Sequence, residues 1–346
     1  MSHPYENLPQ RAFWRTGTAA GGLEHLHVPK FPVTAETRVA TAGSCFAQHI
    51  AQALRGAGVN VLDAEPRPVT MDKNICKTFG YGLFSGRYGN IYTARQMVQL
   101  LQEMTDGAPD PRFVWAKGRR FVDAFRPTVE PEGLDTAQEV LFHRDYHLER
   151  TAQMLRKADV FIFTLGLTEC WEDIETKRVF PMCPGTVAGK FDASAHGFRN
   201  FTHAEVLADL IRMRDLLLGF NPAMRLLLTV SPVPLTATAS QTHVVPATTY
   251  SKAVLRAAAG EAMAGFEDVD YFPSFEIITS HALGGPWFGD NKRTVRPEGV
   301  AQVMQLFLAA HGLAPHPVTN APASQREDDE DDDLFCDELL LDAFAK

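Results

Sequence analysis

Short apolar runs alternate along this chain with longer segments whose apolar residues recur every three or four positions. Val39-Ala40 opens one such run. It breaks at Ala42-Gly43, and Phe46, Ile50, Ala51 and Leu54 then repeat at helical spacing until Gly56 and Gly58. That is strand, tight turn, helix. Residues 59–62 predict a second strand, 94–104 a helix, 113–122 a hairpin turning near Gly118, and 136–157 a long helix. Val160-Phe-Ile-Phe-Thr164 is apolar throughout, as a strand buried on both faces is. A helix over 204–217, a strand over 225–230, a helix over 250–266, a strand over 269–272 and a closing helix opened by Pro297 complete the series. This alternation predicts an α/β fold with a mainly parallel sheet and sites at the carboxyl ends of its strands.

Three segments do not fit the alternation. Residues 1–32 are rich in Pro, Gly and His, and are expected to form an N-terminal arm packed on a domain spanning 33–317. Residues 70–93, with Phe79-Gly-Tyr-Gly-Leu-Phe84 and Arg87-Tyr-Gly-Asn90, are too aromatic for a linker and read as a site loop. Residues 236–249 read as a polar loop containing His243.

Charge changes the picture at one end only. Of the formal net charge of −9, residues 326–346 carry −8, from ten acids against Arg326 and Lys346, which leaves about −1 for the rest. The seven consecutive acids over 327–333 predict a largely disordered tail from 318 to 346. The acidic and apolar stretch behind them is a frayed end or a short helix that docks on a protein partner or on the body itself. A surface without net positive charge argues against nucleic acid. No apolar stretch is long enough to span a bilayer and no basic-then-apolar leader opens the chain, so the expectation is a cytoplasmic protein without stable membrane insertion. Five cysteines without paired spacing argue against a disulfide scaffold or a zinc site.

The residues themselves point to one candidate chemistry. A strand ending in Gly43-Ser44 and turning at once into a helix sets a hydroxyl at the edge of a sheet, beside unpaired backbone N–H groups. Ser44 is the candidate nucleophile; the plain alternative is a serine that caps the helix, and the rival nucleophile is Cys45. His143 and His147 share a helical face at i, i+4 without a third ligand nearby, which reads as an exposed face and not a metal site. No phosphate-binding loop is present, since Gly80-x-Gly82 lacks the spacing and the preceding strand. Neither cofactor nor metal is expected.

Gly43-Ser44-Cys45-Phe46-Ala47 resembles the signature of the GSCFA family, a bacterial group similar to the SGNH/GDSL hydrolases and acyltransferases. The resemblance continues through Asn7-Leu-Pro-Gln-Arg-Ala-Phe-Trp14, Tyr88-Gly-Asn-Ile-Tyr-Thr-Ala-Arg-Gln96, Thr164-Leu-Gly-Leu-Thr-Glu169, Ser231-Pro-Val-Pro-Leu235, Tyr250-Ser-Lys-Ala-Val-Leu-Arg256 and Arg296-Pro-Glu-Gly-Val300. It implies a three-layer sandwich and an acyl-serine at Ser44. SGNH enzymes place a Gly-x-Asn-Asp block after the second buried strand; here Gly166 is kept, Thr168 replaces the asparagine and Glu169 the aspartate. Oxyanion donors are then expected from the backbone of Ser44 and of Gly89 or Asn90, with the Asn90 amide or the Thr168 hydroxyl as a third.

The general base is the departure. SGNH hydrolases carry an Asp-x-x-His block before the last helix, and this chain has Asp290-Asn-Lys-Arg293-Thr294, with no histidine. His243 is the preferred base, because the resemblance implies a histidine there, with Glu169, Glu276 or Asp290 as its orienting carboxylate; His281 is a weaker choice. Asp290 and Arg293 stay with the site as substrate-binding candidates. The resulting expectation is acyl transfer between an ester or activated donor and water or another hydroxyl, on a small molecule or a glycan. The alternative is a non-catalytic ligand-binding module that has lost its base.

Overall fold

A computed structural model describes residues 3–19, 22–314 and 337–345. The acidic run over 327–333 and Cys336 lie outside the described residues. At the centre is a parallel sheet of β1 (Val39–Gly43), β4 (Val160–Leu165), β8 (Arg225–Val230) and β9 (Val269–Phe272), paired in that order. Gly43 pairs with Thr164, Thr164 with Thr229, and Thr229 with Phe272, so the four strands end level with one another. Residues 59–62 add only a single bridge, Val61 to Val39, where a full strand was expected.

Side chains on alternate strand positions divide the core in two. Ala40, Phe161, Phe163, Leu226 and Leu228 pack on one face, against α4 (Ala94–Asp106), α6 (His203–Phe220) and α7 (Val244–Gly265). Val39, Val160, Ile162, Leu227 and Phe272 pack on the other, against α2 (Ala47–Gly56), α8 (Ser274–Thr279) and α9 (Pro297–Ala310). This is a helix, sheet, helix sandwich. In the N-terminal residues, α1 (Trp14–Gly17) is followed by His27, which bonds Asp270 of β9 at 3.1 Å, and Phe31, which enters the second cluster.

Two additions to the sandwich shape the site. The expected hairpin forms from β2 (Val114–Lys117) and β3 (Arg120–Asp123). Beyond β4, where no strands were expected, β5 (Glu169–Asp173), β6 (Val179–Phe180) and β7 (His196–Asn200) make an antiparallel sheet in the order β6, β5, β7.

The loop that follows α3 (Lys73–Cys76) is tied down by a buried polar network on α5 (Ala137–Leu155). His147 is not on an exposed face: it is fully buried, and its Nδ1 bonds Glu65, whose Oε2 also accepts from the Arg87 N–H at 2.9 Å. The helical period was read correctly, but its buried side includes His147. Burial pulls the His147 imidazole down to about 4, with Arg126 acting the same way and Glu65 opposing. Burial works to raise the Glu65 carboxyl, but His147, Arg126 and the Arg87 N–H outweigh it and hold it well below the usual carboxylate range.

Both shifts have the same consequence. A histidine whose folded pKa lies below its unfolded value near 6.5 contributes stability that is present above that value and lost on acidification; a depressed glutamate adds a further loss below about 4.3. The melting temperature should therefore fall as pH drops from 6.5 towards 4, and His147→Asn should lower it at pH 7 and flatten this dependence. A wild-type melting temperature unchanged between pH 7 and 4 would contradict the assignment.

Candidate active site

Gly43 ends β1 with φ of 140°, and a β-carbon there would lie 2.5 Å from the Thr164 carbonyl oxygen. Only glycine permits that approach. The Ser44 N–H extends the ladder by one bond to Thr164 O at 3.1 Å, and Ser44 O accepts from the Ala47 N–H at 2.9 Å as the chain turns into α2. The serine hydroxyl is left at the carboxyl edge of the sheet, 2% exposed. It makes no capping bond to α2 and, among the described residues, its Oγ has no hydrogen-bond partner.

One residue lies directly on the serine, and two more are tied to the backbone around it. A β-carbon on Gly166 would stand 2.9 Å from the Ser44 β-carbon, so the Gly166 backbone packs directly on the serine. The Gly166 N–H donates to Tyr92 O at 3.0 Å, and Gly166 O accepts from Lys252 Nζ at 2.7 Å. Lys252, on α7, is 2% exposed. The Ile91 N–H donates to Gly43 O at 2.9 Å, which lays Asn90 alongside the end of β1. Preceded by Gly89 at φ of 67°, Asn90 is buried; its carbonyl accepts from Gln96 Nε2 at 3.0 Å, and its amide Nδ2 donates to Asp337 Oδ2, also at 3.0 Å.

The chain matches the GSCFA family over residues 38–307. It belongs to that family. None of the curated proteins searched matches it. Among solved structures it is similar to a carbohydrate esterase family 3 from Talaromyces cellulolyticus, at 10% identity and a TM-score of 0.34, over 78% of this chain and 94% of that one. It is similar also to an acetyl esterase mutant with acetate ion, at 11% identity and a TM-score of 0.33, over 78% and 93% of the two chains. At such values neither carries a residue or an activity over to this GSCFA protein.

Several expected site residues of the GSCFA chain are placed elsewhere. His243 is exposed and caps α7, its Nδ1 accepting from the Val245 N–H at 3.1 Å. The helix begins at Val244, six residues before the expected start; Pro246 does not prevent this, because it falls in the first turn, where the missing N–H would have no partner in any case. Residues 244–249 of the expected loop are thereby helical, 236–243 stay outside the helix, and no hydrogen bond joins His243 to Ser44. The Thr168 hydroxyl donates to Asn200 Oδ1 at 2.7 Å, and the Thr168 N–H donates to Ser251 Oγ at 3.0 Å, which commits this residue to the junction of β5 and β7. The Ser44 N–H is likewise committed to the ladder, so neither is free to serve an oxyanion in this arrangement.

Glu169 accepts from the Thr238 hydroxyl at 2.7 Å, and burial raises its carboxyl pKa against that bond and one from the Ala239 N–H. It lines a cavity of about 300 Å³ beside Leu167 and Trp171. Asp290 is fully exposed, opposite Arg296 at 3.5 Å. Asn291 Oδ1 accepts from the N–H groups of Arg293 and Thr294, a turn that directs Arg293 inward, where its Nε donates to Pro234 O at 3.2 Å. His281 lies tilted against the Trp14 ring, and Cys45 packs in the apolar cluster with Phe46 and Ile50.

Lys252, Asp337 and Glu338 were not singled out from the sequence. Lys252 did carry a signal, a lysine next to Ser251 on a helix face otherwise built from Ala247, Leu255 and Ala258. The unsatisfied hydroxyl yields a sharp expectation. An unpaired buried hydroxyl costs about 1–3 kcal/mol, so Ser44→Ala should leave the melting temperature unchanged or raise it. A loss of stability would mean that the hydroxyl has a structural partner.

Proposed function

We propose that this GSCFA protein is a serine-dependent acyl-transfer enzyme, an esterase or O-acyltransferase working through an acyl-Ser44 intermediate on a small molecule or glycan that bears a hydroxyl. The observation that carries this reading is the Ser44 hydroxyl, buried without a hydrogen-bond partner among the described residues at the carboxyl edge of a parallel sheet. Native interiors mostly satisfy such groups, and what distinguishes Ser44 from the other buried hydroxyls without a partner is its place at the turn from the strand's carboxyl end into a helix, where such folds bind ligands.

In the proposed reaction Ser44 Oγ attacks the acyl carbon of a donor and its proton passes to Lys252. That lysine is chosen because its Nζ is bonded to Gly166, the residue packed on the serine's β-carbon. Buried lysines serve as general bases and activate nucleophiles. The Asn90 amide donates to the oxygen that gains charge, a contact worth about 2.7–4 kcal/mol in comparable sites. The donor's alcohol or other leaving group takes the proton and departs; water or a second hydroxyl then attacks the acyl-serine and regenerates Ser44.

A second reading, a non-catalytic binding module, draws on the absence, among the described residues, of an imidazole hydrogen-bonded to Ser44. The two differ on incubation with a fluorophosphonate and with 4-nitrophenyl acetate. The enzyme reading predicts an adduct and turnover lost in Ser44→Ala, turnover reduced about 10²–10⁴-fold in Lys252→Met, and both retained in Cys45→Ala and His243→Ala. Turnover abolished in His243→Ala would return the base to that histidine. Absence of both adduct and turnover in the wild type would favour the binding module.

A further inference from the structure

The C-terminal 3₁₀ segment Asp337–Phe344 buries the wrong residues for an apolar helix. Leu339, Leu340 and Phe344 are 37%, 46% and 65% exposed, whereas Asp337 and Glu338 are 3% and 7% exposed. A segment held by the hydrophobic effect would cover its leucines and leave its acids in water. This one is held by its carboxylates. Asp337 Oδ2 accepts from the amide of Asn90, the neighbour of the Ile91 whose N–H holds the Gly43 carbonyl, at 3.0 Å, and Glu338 Oε2 accepts from the Arg293 guanidinium at 3.0 Å. Asn90 is buried and Arg293 largely enclosed, with 1% of Asn90 and 12% of the Arg293 side chain exposed. Glu338, Leu341 and Phe344 then recur every three residues, the period of a 3₁₀ helix, and roof the cavity of about 300 Å³ whose walls include Leu167, Trp171, Phe180 and Met182.

We propose that this groove is a docking site for the chain's own C-terminal segment, which lies across the Ser44 site as an intramolecular ligand and must leave before a substrate reaches the serine. The carboxylate of Asp337 occupies the amide that the proposed reaction assigns to the oxyanion. Arg293, stationed by the Asn291 turn, is the second anchor. The proposal rests on locating the site at Ser44 and on no chemistry there, so it is tested by binding and not by turnover.

The test is fluorescence anisotropy of a labelled synthetic peptide of residues 337–345 added to full-length protein. In the wild type the groove is already filled, and the peptide should bind weakly. In the Asp337→Ala/Glu338→Ala chain the tethered segment lets go, and the peptide should bind at least 10-fold more tightly. Adding Arg293→Ala to that chain should weaken binding at least 10-fold again. Equal affinity for the wild type and the double variant would overturn the proposal. So would failure of the peptide to bind the double variant at millimolar concentration, because covalent attachment supplies a local concentration of about that order.

Discussion

The close approach of β1 and β4 at Gly43 is the constraint on which the site depends. With a β-carbon 2.5 Å from the Thr164 oxygen excluded, only glycine lets β1 stay in register to its last residue and still turn directly into α2. Everything else at that edge is referenced to this turn. The Gly43 carbonyl holds the strip through Asn90 and Ile91, the Thr164 carbonyl holds Ser44, and Gly166 packs on the serine from the next strand. A parallel sheet whose strands end level supplies a flat rim, and the glycines at 43 and 166 bring backbone, not side chain, up to the hydroxyl.

A second layer of buried polar contacts keeps that rim rigid. Glu65 and His147 fix the backbone at Arg87, Gln96 holds the Asn90 carbonyl, and Ser251 and Asn200 hold Thr168. Each of these pairs satisfies a group that would be costly to bury alone. At this edge the Ser44 and Thr164 hydroxyls are both buried without a hydrogen-bond partner among the described residues, and Ser44 is the one at the turn into α2. Stability and presentation of the nucleophile are thus arranged by the same network.

What was legible in the sequence was local. The Gly-Ser turn, the buried runs of β4 and β8 and the parallel α/β class follow from short-range periodicity, which backbone geometry enforces within a few residues. The small antiparallel sheet was missed because β6 has only two residues and β7 reads as a polar loop. Residues 244–249 were read as loop because a proline in a polar stretch looks like one, although a helix tolerates it in the first turn, which leaves His243 as the cap of α7. Lys252 and the Asp337–Glu338 pair were hidden for a different reason. A buried lysine on a helix and two acids in an acidic tail gain meaning only from what the fold sets opposite them, Gly166 in one case and Asn90 with Arg293 in the other.

The central claim is that Ser44 carries the acyl group. Its most direct test is to mix the protein with 4-nitrophenyl acetate, quench in acid within the first turnover, digest, and sequence the peptide spanning residues 39–55 by tandem mass spectrometry. The account predicts one acetyl group on Ser44. An acetyl group on Cys45, or an unmodified peptide from protein that turns the ester over, would contradict it.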